Sequence, residues 1–303
     1  MPIGRQSDHN TAMARRSKRR LKRFPTYLLL YVLIAMWLAG CSDRLILFPS
    51  RDPIHAPGAH QIHVPFGKGT LDVWSKKSDG LSDAAPQGFV LHFGGNGDRA
   101  ESGVERVADE WSDLPVEVWS MNYPGFGQSS GSARLSAIAP SALDTYDELN
   151  RRASGRPIFV SGHSIGTAAA LYVAAHRPVA GVVLQNPPPL RQLIMGHYGW
   201  WNLWLAATPV AMHVPKSLDS IANGKAAKAP CVFIMAGRDD TVPPEYQYKV
   251  ANAYAGPKHF VFLPDAGHND LVAGQERFQL EEQLQWLCSS AHAGPTTRDV
   301  SAH

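Results

Sequence analysis

One serine stands between two glycines in a pattern suited to nucleophilic catalysis. The segment Gly162-His163-Ser164-Ile165-Gly166 follows the apolar run Ile158-Phe159-Val160 and precedes an alanine-rich stretch. A nucleophile on a sharp strand-to-helix turn needs small neighbours, because larger side chains would collide where the backbone doubles back. The amino end of the following helix also favours developing negative charge. We predict that Ser164 is the nucleophile; the alternative is that its hydroxyl only caps the helix.

A serine hydroxyl needs a base to take its proton, and the base needs an orienting acid. His268 lies in the loop Pro264-Asp265-Ala266-Gly267-His268-Asn269-Asp270, directly after the last predicted strand. The histidines at 92, 163 and 259 lie in or beside other predicted elements, where structural roles are more common. We therefore predict that His268 is the general base.

Two adjacent carboxylates compete for the role of the acid. Asp239 and Asp240 lie in Ala236-Gly237-Arg238-Asp239-Asp240-Thr241-Val242-Pro243, after a continuous apolar run. The order serine, aspartate, histidine resembles that of the α/β-hydrolase superfamily, whose members place the acid in patterns like G-x-x-D-x-x-V-P. Counting back from Val242-Pro243 selects Asp239, whereas counting forward from Gly237 selects Asp240. We favour Asp239, because the segment after it sets the turn into the next helix; the other would be a solvated turn residue or a helix cap.

The resemblance extends from about residue 61 to residue 289 and implies an α/β-hydrolase fold. Such a fold has a mostly parallel central sheet, helices on both faces and here a short cap insertion. It also implies an oxyanion hole formed by the N–H of Ile165 and a second N–H after the third strand. The segment His92-Phe93-Gly94-Gly95-Asn96-Gly97 resembles the His-Gly-Asn loop of relatives, with Gly94 where they have histidine. We expect Asn96 to supply the second donor.

Short apolar runs alternate with helical patterns along the chain, which favours a mostly parallel sheet covered on both faces. The predicted strands are Gln61–Phe66, Thr70–Ser75, Gly88–Phe93, Val116–Met121, Pro157–Ser161, Val179–Gln185, Cys231–Ala236 and His259–Leu263. The predicted helices are Ala100–Trp111, Ser136–Ala153, Ile165–His176, Pro244–Ala255 and Arg277–Ser289. We expect one hydrolase domain over residues 61–289 and a disordered tail over residues 290–303.

Residues 186–230 are too long for a simple crossover and are expected to form the cap. They contain Trp200, Trp201, Leu203, Trp204 and Leu205. These side chains indicate an apolar acyl pocket, or they only pack the cap onto the domain; the sequence leaves both interpretations open.

The amino-terminal residues 1–40 are typical of a secretory signal. A basic segment over residues 14–23 precedes an uncharged, largely apolar run that ends in Leu38-Ala39-Gly40-Cys41. The small residues before Cys41 resemble the bacterial lipobox, in which the cysteine is acylated and becomes the new amino terminus. We expect a lipid anchor on Cys41, a tether over residues 41–60 and a location in the cell envelope, on the periplasmic side of the outer membrane in a Gram-negative cell. The alternative is an uncleaved anchor helix, which the apolar run makes marginal by length; translation starts at Met1 or Met13.

The remaining composition argues against other classes of function. From residue 41 onward the chain has 21 basic and 25 acidic residues, so it lacks the positive charge of a nucleic-acid-binding protein. No G-x-G-x-x-G dinucleotide fingerprint is present, and no cofactor is implied. Cys231 and Cys288 are too few for a disulfide framework and are expected to be buried thiols, although one bridge is possible in principle. Neither lies in a metal-binding pattern, so we predict no metal.

Together these patterns predict a serine hydrolase that cleaves carboxylic esters through an acyl-enzyme intermediate, with a small-molecule acyl ester as substrate and lipid esters as one candidate class. Similar folds also carry peptidase and thioesterase activity, and these remain alternatives. A different class of alternative is a non-catalytic envelope lipoprotein that uses the fold for binding.

Overall fold

The computed structural model describes residues 27–81, 85–202 and 204–292, without the side chains of residues 202 and 292. Its strands are β1 (His60–Phe66), β2 (Gly69–Lys77), β3 (Gly88–Phe93), β4 (Val116–Met121), β5 (Ile158–His163), β6 (Gly181–Gln185), β7 (Cys231–Ala236) and β8 (Lys258–Leu263). Its helices are α1 (Tyr27–Ile46), α2 (Ala100–Glu110), α3 (Leu135–Ala153), α4 (Gly166–His176), α5 (Leu190–Gly196), α6 (Ala207–His213), α7 (Ser220–Ala226), α8 (Pro244–Ala253) and α9 (Gly274–His292). The basic part of the predicted signal, Met13, Leu203 and residues 293–303 of the predicted tail lie outside the described residues.

The eight strands form one sheet in the order β1-β2-β4-β3-β5-β6-β7-β8. The β1–β2 and β2–β4 pairs are antiparallel, and the other pairs are parallel. The predicted α/β-hydrolase fold is therefore confirmed. Because β3 and β5 to β8 run in the same direction, the loops that follow them meet at one edge of the sheet.

Apolar side chains fill both faces of the sheet, which explains why the central strands are continuously hydrophobic. Every residue of β3, β5, β6 and β7 is buried. One face packs against α3, α4 and α8, and the other packs against α2 and α9. The central strands are thus fixed from both sides, and they hold rigid the loops at their carboxyl ends.

The segment after α1 is held against the domain by specific contacts. The carboxylate of Asp43 accepts a hydrogen bond of 2.8 Å from the N–H of Leu135, at the start of α3. Negative charge there is favourable, because the first N–H groups of a helix have no partner within it. Leu47 is buried in the core, and the carbonyl of Ser50 accepts bonds from Gly127 N–H and from Arg99. The expected tether is therefore fixed to the domain from Asp43 onward.

The cap region contains α5, α6, α7 and two short 3-10 segments. Helix α7 packs against α4 and α8 and so belongs to the helical layer of the sheet. The part that stands over the domain is therefore α5, α6 and the chain between them. Leu193 of α5 forms a small apolar cluster with Val242 and Tyr246, which seats the cap beside the loop after β7.

Candidate active site

Ser164 occupies the sharp turn between β5 and α4. Its φ is 53°, in the left-handed region that residues with side chains rarely adopt. A Cβ on Gly162 would lie 2.6 Å from the backbone of Gly166, and a Cβ on Gly166 would lie 2.0 Å from the carbonyl oxygen of Phe93. Both glycines are therefore required by close backbone contacts, as the G-x-S-x-G interpretation expects.

We expect Gly166→Ala to destabilise the protein by about 3 kcal/mol or more, because its new methyl group would meet backbone rather than a flexible side chain. The matched control is Gly224→Ala in α7, where the nearest atom to a new Cβ is 3.7 Å away. Alanine is favoured over glycine inside a helix, so the control should gain up to about 1 kcal/mol. Chemical denaturation of both variants measures the difference. Equal stability of the two variants would contradict this packing of the turn.

A chain of hydrogen bonds connects Ser164, His268 and Asp239. His268 Nε2 lies 2.9 Å from Ser164 Oγ, and His268 Nδ1 lies 2.7 Å from Asp239 Oδ2. Since the ionised carboxylate only accepts, Nδ1 carries the hydrogen and Nε2 is free to accept from the serine. The three side chains come from loops after β5, β7 and β8. The structure brings together the three residues that the sequence analysis selected.

Asp239 and Asp240 have opposite environments although they are adjacent. Asp239 is only 3% exposed, and its Oδ1 accepts the N–H groups of Thr241 at 2.9 Å and Val242 at 2.7 Å. Gln247 Nε2 in α8 contacts its other oxygen at 3.2 Å. Asp240 is exposed, whereas Asp239 makes the contact with His268 Nδ1. The geometry therefore agrees with the register counted back from Val242-Pro243.

The carbonyl of His268 is held from two sides. Asn186 Nδ2 donates to it at 2.8 Å, and His163 Nε2 lies 3.1 Å from it. Asn186 has a φ of 51°, and its Oδ1 accepts the N–H of Ala236 at 3.0 Å. Asparagine tolerates this left-handed conformation better than most residues. Asn186 thereby ties the end of β7 to the loop that carries the histidine.

A second histidine–aspartate pair lies behind the first. His163 Nδ1 is 3.1 Å from Asp98 Oδ2, which also accepts the N–H of Gly95 at 2.6 Å. Burial alone would raise the pKa of Asp98, but the hydrogen bond and charge of His163, with the Gly95 N–H, hold it well below its usual range. His163 therefore has a structural role, as the sequence analysis expects, between an ionised carboxylate and the His268 loop.

The sequence analysis did not identify Asp98, Asn186 or Gln247 as parts of the site. Each lies one to eight residues after a strand end or an assigned residue; the contacts of Asp98 and Asn186 join segments far apart in the chain, and Gln247 reaches back from α8 to Asp239. In the sequence, the only local signals were an asparagine directly after the predicted strand Val179–Gln185 and an acid after the glycine-rich loop. Neither signal indicates which residue the polar side chain contacts.

The proposed oxyanion loop lies directly against the serine turn. The carbonyl of Gly94 is within 2.5 Å of the position a Gly166 Cβ would take, and Tyr123 Oη donates to that carbonyl at 3.0 Å. The carbonyl of Asn96 accepts the N–H of Phe48 at 2.8 Å. Across the described residues, the N–H groups of Ile165 and Asn96 donate to no backbone or side-chain acceptor. Both are thus available for a substrate oxygen.

His92 is enclosed beneath this loop. Its Nδ1 lies 3.3 Å from Ser161 Oγ, and the Arg106 guanidinium lies 3.2 Å from its Nε2. Burial, assisted by the charge of Arg106, holds the pKa of His92 well below its usual range. A neutral ring accepts the arginine hydrogen bond, so His92 is structural, as its position in a strand suggests.

Within the ranges that the structure describes, no group of three or more His, Cys, Asp and Glu side chains is arranged to hold a metal ion. Cys231 is buried and Cys288 is partly buried, and neither forms a disulfide. Burial raises the pKa of the Cys288 thiol to about 11. Burial also raises the pKa of the Cys231 thiol well above its usual range. Neither thiol is therefore suited to nucleophilic chemistry at neutral pH.

The sheet order, the strained serine turn and the loops at one edge define the fold class: the chain has the α/β-hydrolase fold. The model of the Hydrolase_4 family, described as serine aminopeptidase S33, matches residues 84–221. This match begins at β3 and includes the serine turn, and it ends before the loops of Asp239 and His268.

Among individual proteins, the chain is 28% identical over 274 residues to the uncharacterized protein Rv2307c of Mycobacterium tuberculosis, covering 86% of this chain and 92% of the relative. It is 27% identical to human protein ABHD12B, over 62% of this chain and 57% of the relative. It is 24% identical to mouse lysophosphatidylserine lipase ABHD12, over 66% of this chain and 56% of the relative. The chain thus matches the mycobacterial protein almost end to end and the mammalian proteins over little more than half their length.

Solved structures share the fold at low sequence identity. The Pyrococcus furiosus esterase PF2001 superposes with a TM-score of 0.60 at 14% identity, over 80% of this chain and 97% of the esterase. Est1E from Butyrivibrio proteoclasticus superposes with a TM-score of 0.61 at 13% identity, over 76% of this chain and 99% of Est1E. At such identities the similarity establishes the fold and nothing about substrate.

Proposed function

We propose that the protein is a serine hydrolase that cleaves carboxylic esters and is attached to a membrane. The observation that carries the catalytic part is the hydrogen-bonded chain from Ser164 through His268 to Asp239, with two distances of 2.9 and 2.7 Å. The alternative that Ser164 only caps the helix has less support, because its Oγ faces His268 Nε2.

The reaction follows from this arrangement. Ser164 Oγ attacks the ester carbonyl carbon while its proton passes to His268 Nε2, and the carbonyl oxygen becomes an oxyanion held by the Ile165 and Asn96 N–H groups. The alkoxide leaves with the proton from Nε2, which gives an acyl-serine. Water then attacks the acyl carbon, and His268 takes its proton and returns it to Ser164, releasing the acid. The anionic Asp239 holds the imidazole in the required tautomer throughout.

An ester is favoured over a peptide as the substrate because the mouse relative is a lysophosphatidylserine lipase. The family model is described as an aminopeptidase, so a peptide substrate is the second candidate. Thioesters remain an alternative with the same chemistry.

A fluorophosphonate probe distinguishes the catalytic proposal from a binding-only role. The purified chain is expected to take up the probe covalently at Ser164, because only an activated serine reacts. Hydrolysis of p-nitrophenyl esters of graded acyl length, compared with aminoacyl amides and acyl thioesters, then ranks the substrate classes. A chain that neither binds the probe nor hydrolyses any of these compounds would be a binding lipoprotein.

The membrane part of the proposal rests on the amino-terminal pattern and on α1. Helix α1 has 20 residues with a mean hydropathy of 1.6, long and apolar enough to cross a bilayer, and a signal sequence has the same properties. We propose that cleavage before Cys41 and acylation of its thiol replace the helix by a lipid anchor. Lipid chains contribute about 0.8 kcal/mol per buried methylene, so two or more chains attach a protein stably.

We expect Cys41→Ser to abolish the incorporation of labelled fatty acid when the chain is expressed in a bacterial host. Cys231→Ser is the control and should keep the label, because that thiol is buried in the core. A chain that begins at Ser42 retains Asp43 and Leu47 and should be soluble and active. Mass spectrometry of the mature amino terminus decides the alternative: a chain that still begins at Met1 or Met13, with an unmodified cysteine, would identify α1 as the anchor.

A further inference from the structure

The outer side of the cap exposes large apolar side chains. Trp200 is 66% exposed, Trp201 is 69% exposed and Met212 is 78% exposed. Trp204 and Leu205 are about half exposed. We refer to these five residues as the apolar cap face. Such exposure argues against both sequence-based interpretations, because these side chains neither line an enclosed acyl pocket nor pack the cap onto the domain.

One residue of the apolar cap face, Met212, also borders helix α1, the proposed membrane-anchoring segment. A groove of about 390 Å³ lies between α1 and α6, and its walls are apolar side chains of both helices together with His213. The walls include Tyr31, Val32, Met36, Pro209 and Met212. Helix α6 thus lies alongside the stretch that is long and apolar enough to enter a bilayer. Single exposed apolar residues are ordinary on proteins, whereas five large ones between residues 200 and 212, one of them bordering such a stretch, are not.

The connection between Cys41 and the domain is too short to let the domain turn away. Asp43 is two residues after Cys41, and it is bonded to the start of α3 and lies 3.6 Å from His213 Nε2, at the end of α6. A lipid on Cys41 therefore enters the bilayer beside α6. An uncleaved α1 would enter it at the same place, so both anchors present the same side of the domain to the lipid.

We propose that the apolar cap face inserts into the interface of the phospholipid bilayer and holds the carboxyl edge of the sheet toward the membrane. Indole rings suit this position, because their apolar body enters the lipid while the N–H stays near the headgroups. Since α5 packs against Val242 beside the Asp239 loop, the cap connects this surface directly to the site. The proposal rests on the membrane attachment proposed above and does not depend on hydrolysis.

The test uses the full chain reconstituted into phosphatidylcholine vesicles whose acyl chains carry bromine, which quenches indole fluorescence on contact. Trp200→Phe/Trp201→Phe keeps the surface apolar and removes two of its indoles. We expect this double variant to lose about half of the lipid-dependent quenching. The matched control is Trp286→Phe in α9, because that indole stacks on His259 in the opposite helical layer. The control should retain the quenching of the parent chain.

Three results would overturn the proposal, and they are distinguishable. A parent chain that does not float with the vesicles contradicts the membrane attachment as well. A chain that floats, but whose quenching is the same in the double variant, contradicts the insertion of the cap face alone. Self-association of the parent in detergent that Trp200→Ser/Trp201→Ser abolishes, without quenching by brominated lipid, would assign the surface to a second copy of the chain.

Discussion

Replacing Ser164 by alanine is expected to lower the rate of p-nitrophenyl ester hydrolysis by roughly 10³-fold or more. The oxyanion donors should account for the activity that remains. The fold should survive, because the lost hydroxyl contributes one hydrogen bond to His268 and little packing. The left-handed backbone of Ser164 is no more strained with alanine than with serine. Labelling by the fluorophosphonate probe should disappear in the same variant.

The chain offers a matched control for the backbone effect. Ser154, at the end of α3, has a φ of 52° and is exposed. Ser154→Ala therefore imposes the same local change far from the site and should retain the parent rate. Parent-like turnover by Ser164→Ala would show that another residue is the nucleophile, and a matching loss in Ser154→Ala would attribute the effect to folding.

Asp239→Asn is expected to reduce the rate of ester hydrolysis by roughly 10³- to 10⁴-fold, whereas Asp240→Asn should change it by less than about twofold. In the first variant, the N–H groups of Thr241 and Val242 fix the amide oxygen, so the amide NH₂ turns toward His268 Nδ1. That nitrogen must then accept, which places the imidazole hydrogen on Nε2. A protonated Nε2 does not accept the serine proton.

The comparison of Asp239→Asn with Asp240→Asn is sensitive, because the two residues are adjacent in the chain but one is buried and the other is exposed. Measurement of kcat and KM for both variants separates a loss of chemistry from a loss of binding. If Asp240→Asn has the larger effect, the register counted from Gly237 is correct and the arrangement in the structure is wrong. A structural loss is recognised by circular dichroism, since Asp239 accepts hydrogen bonds that shape its loop.

The amino-terminal segment has a structural role beyond attachment, through the contacts of Asp43, Leu47 and Phe48. Phe48 N–H holds the peptide of Asn96, and Asp43 caps α3. The same short segment thus connects the proposed membrane anchor, the proposed oxyanion loop and the cap-side helix α6. A lipid on Cys41, as proposed, would therefore hold the active-site edge at a defined position relative to the bilayer.

The sequence by itself determined the fold and the serine turn. All eight strands were predicted, because strands buried on both faces must be continuously apolar and helices between them show their own periodicity. Gly162 and Gly166 of the serine turn were recognisable because the contact that requires them is local. The backbone of Gly162 approaches that of Gly166, only four residues further along the chain. The aspartate and histidine were placed by their order along the chain and by their loops.

Only the tertiary structure showed that Asp239 is buried against His268 while Asp240 is exposed, because burial and hydrogen bonding depend on how the β7 and β8 loops meet. It also revealed Asp98 and Asn186, whose partners are distant in sequence, and Gln247, whose side chain reaches back from α8 to Asp239. The tryptophans of the cap are a further example, since an apolar side chain has the same sequence signature whether it packs inward or faces outward. The local sequence determines which secondary structure a segment forms. The hydrogen-bond partner of a polar group is determined by the packing of the whole chain.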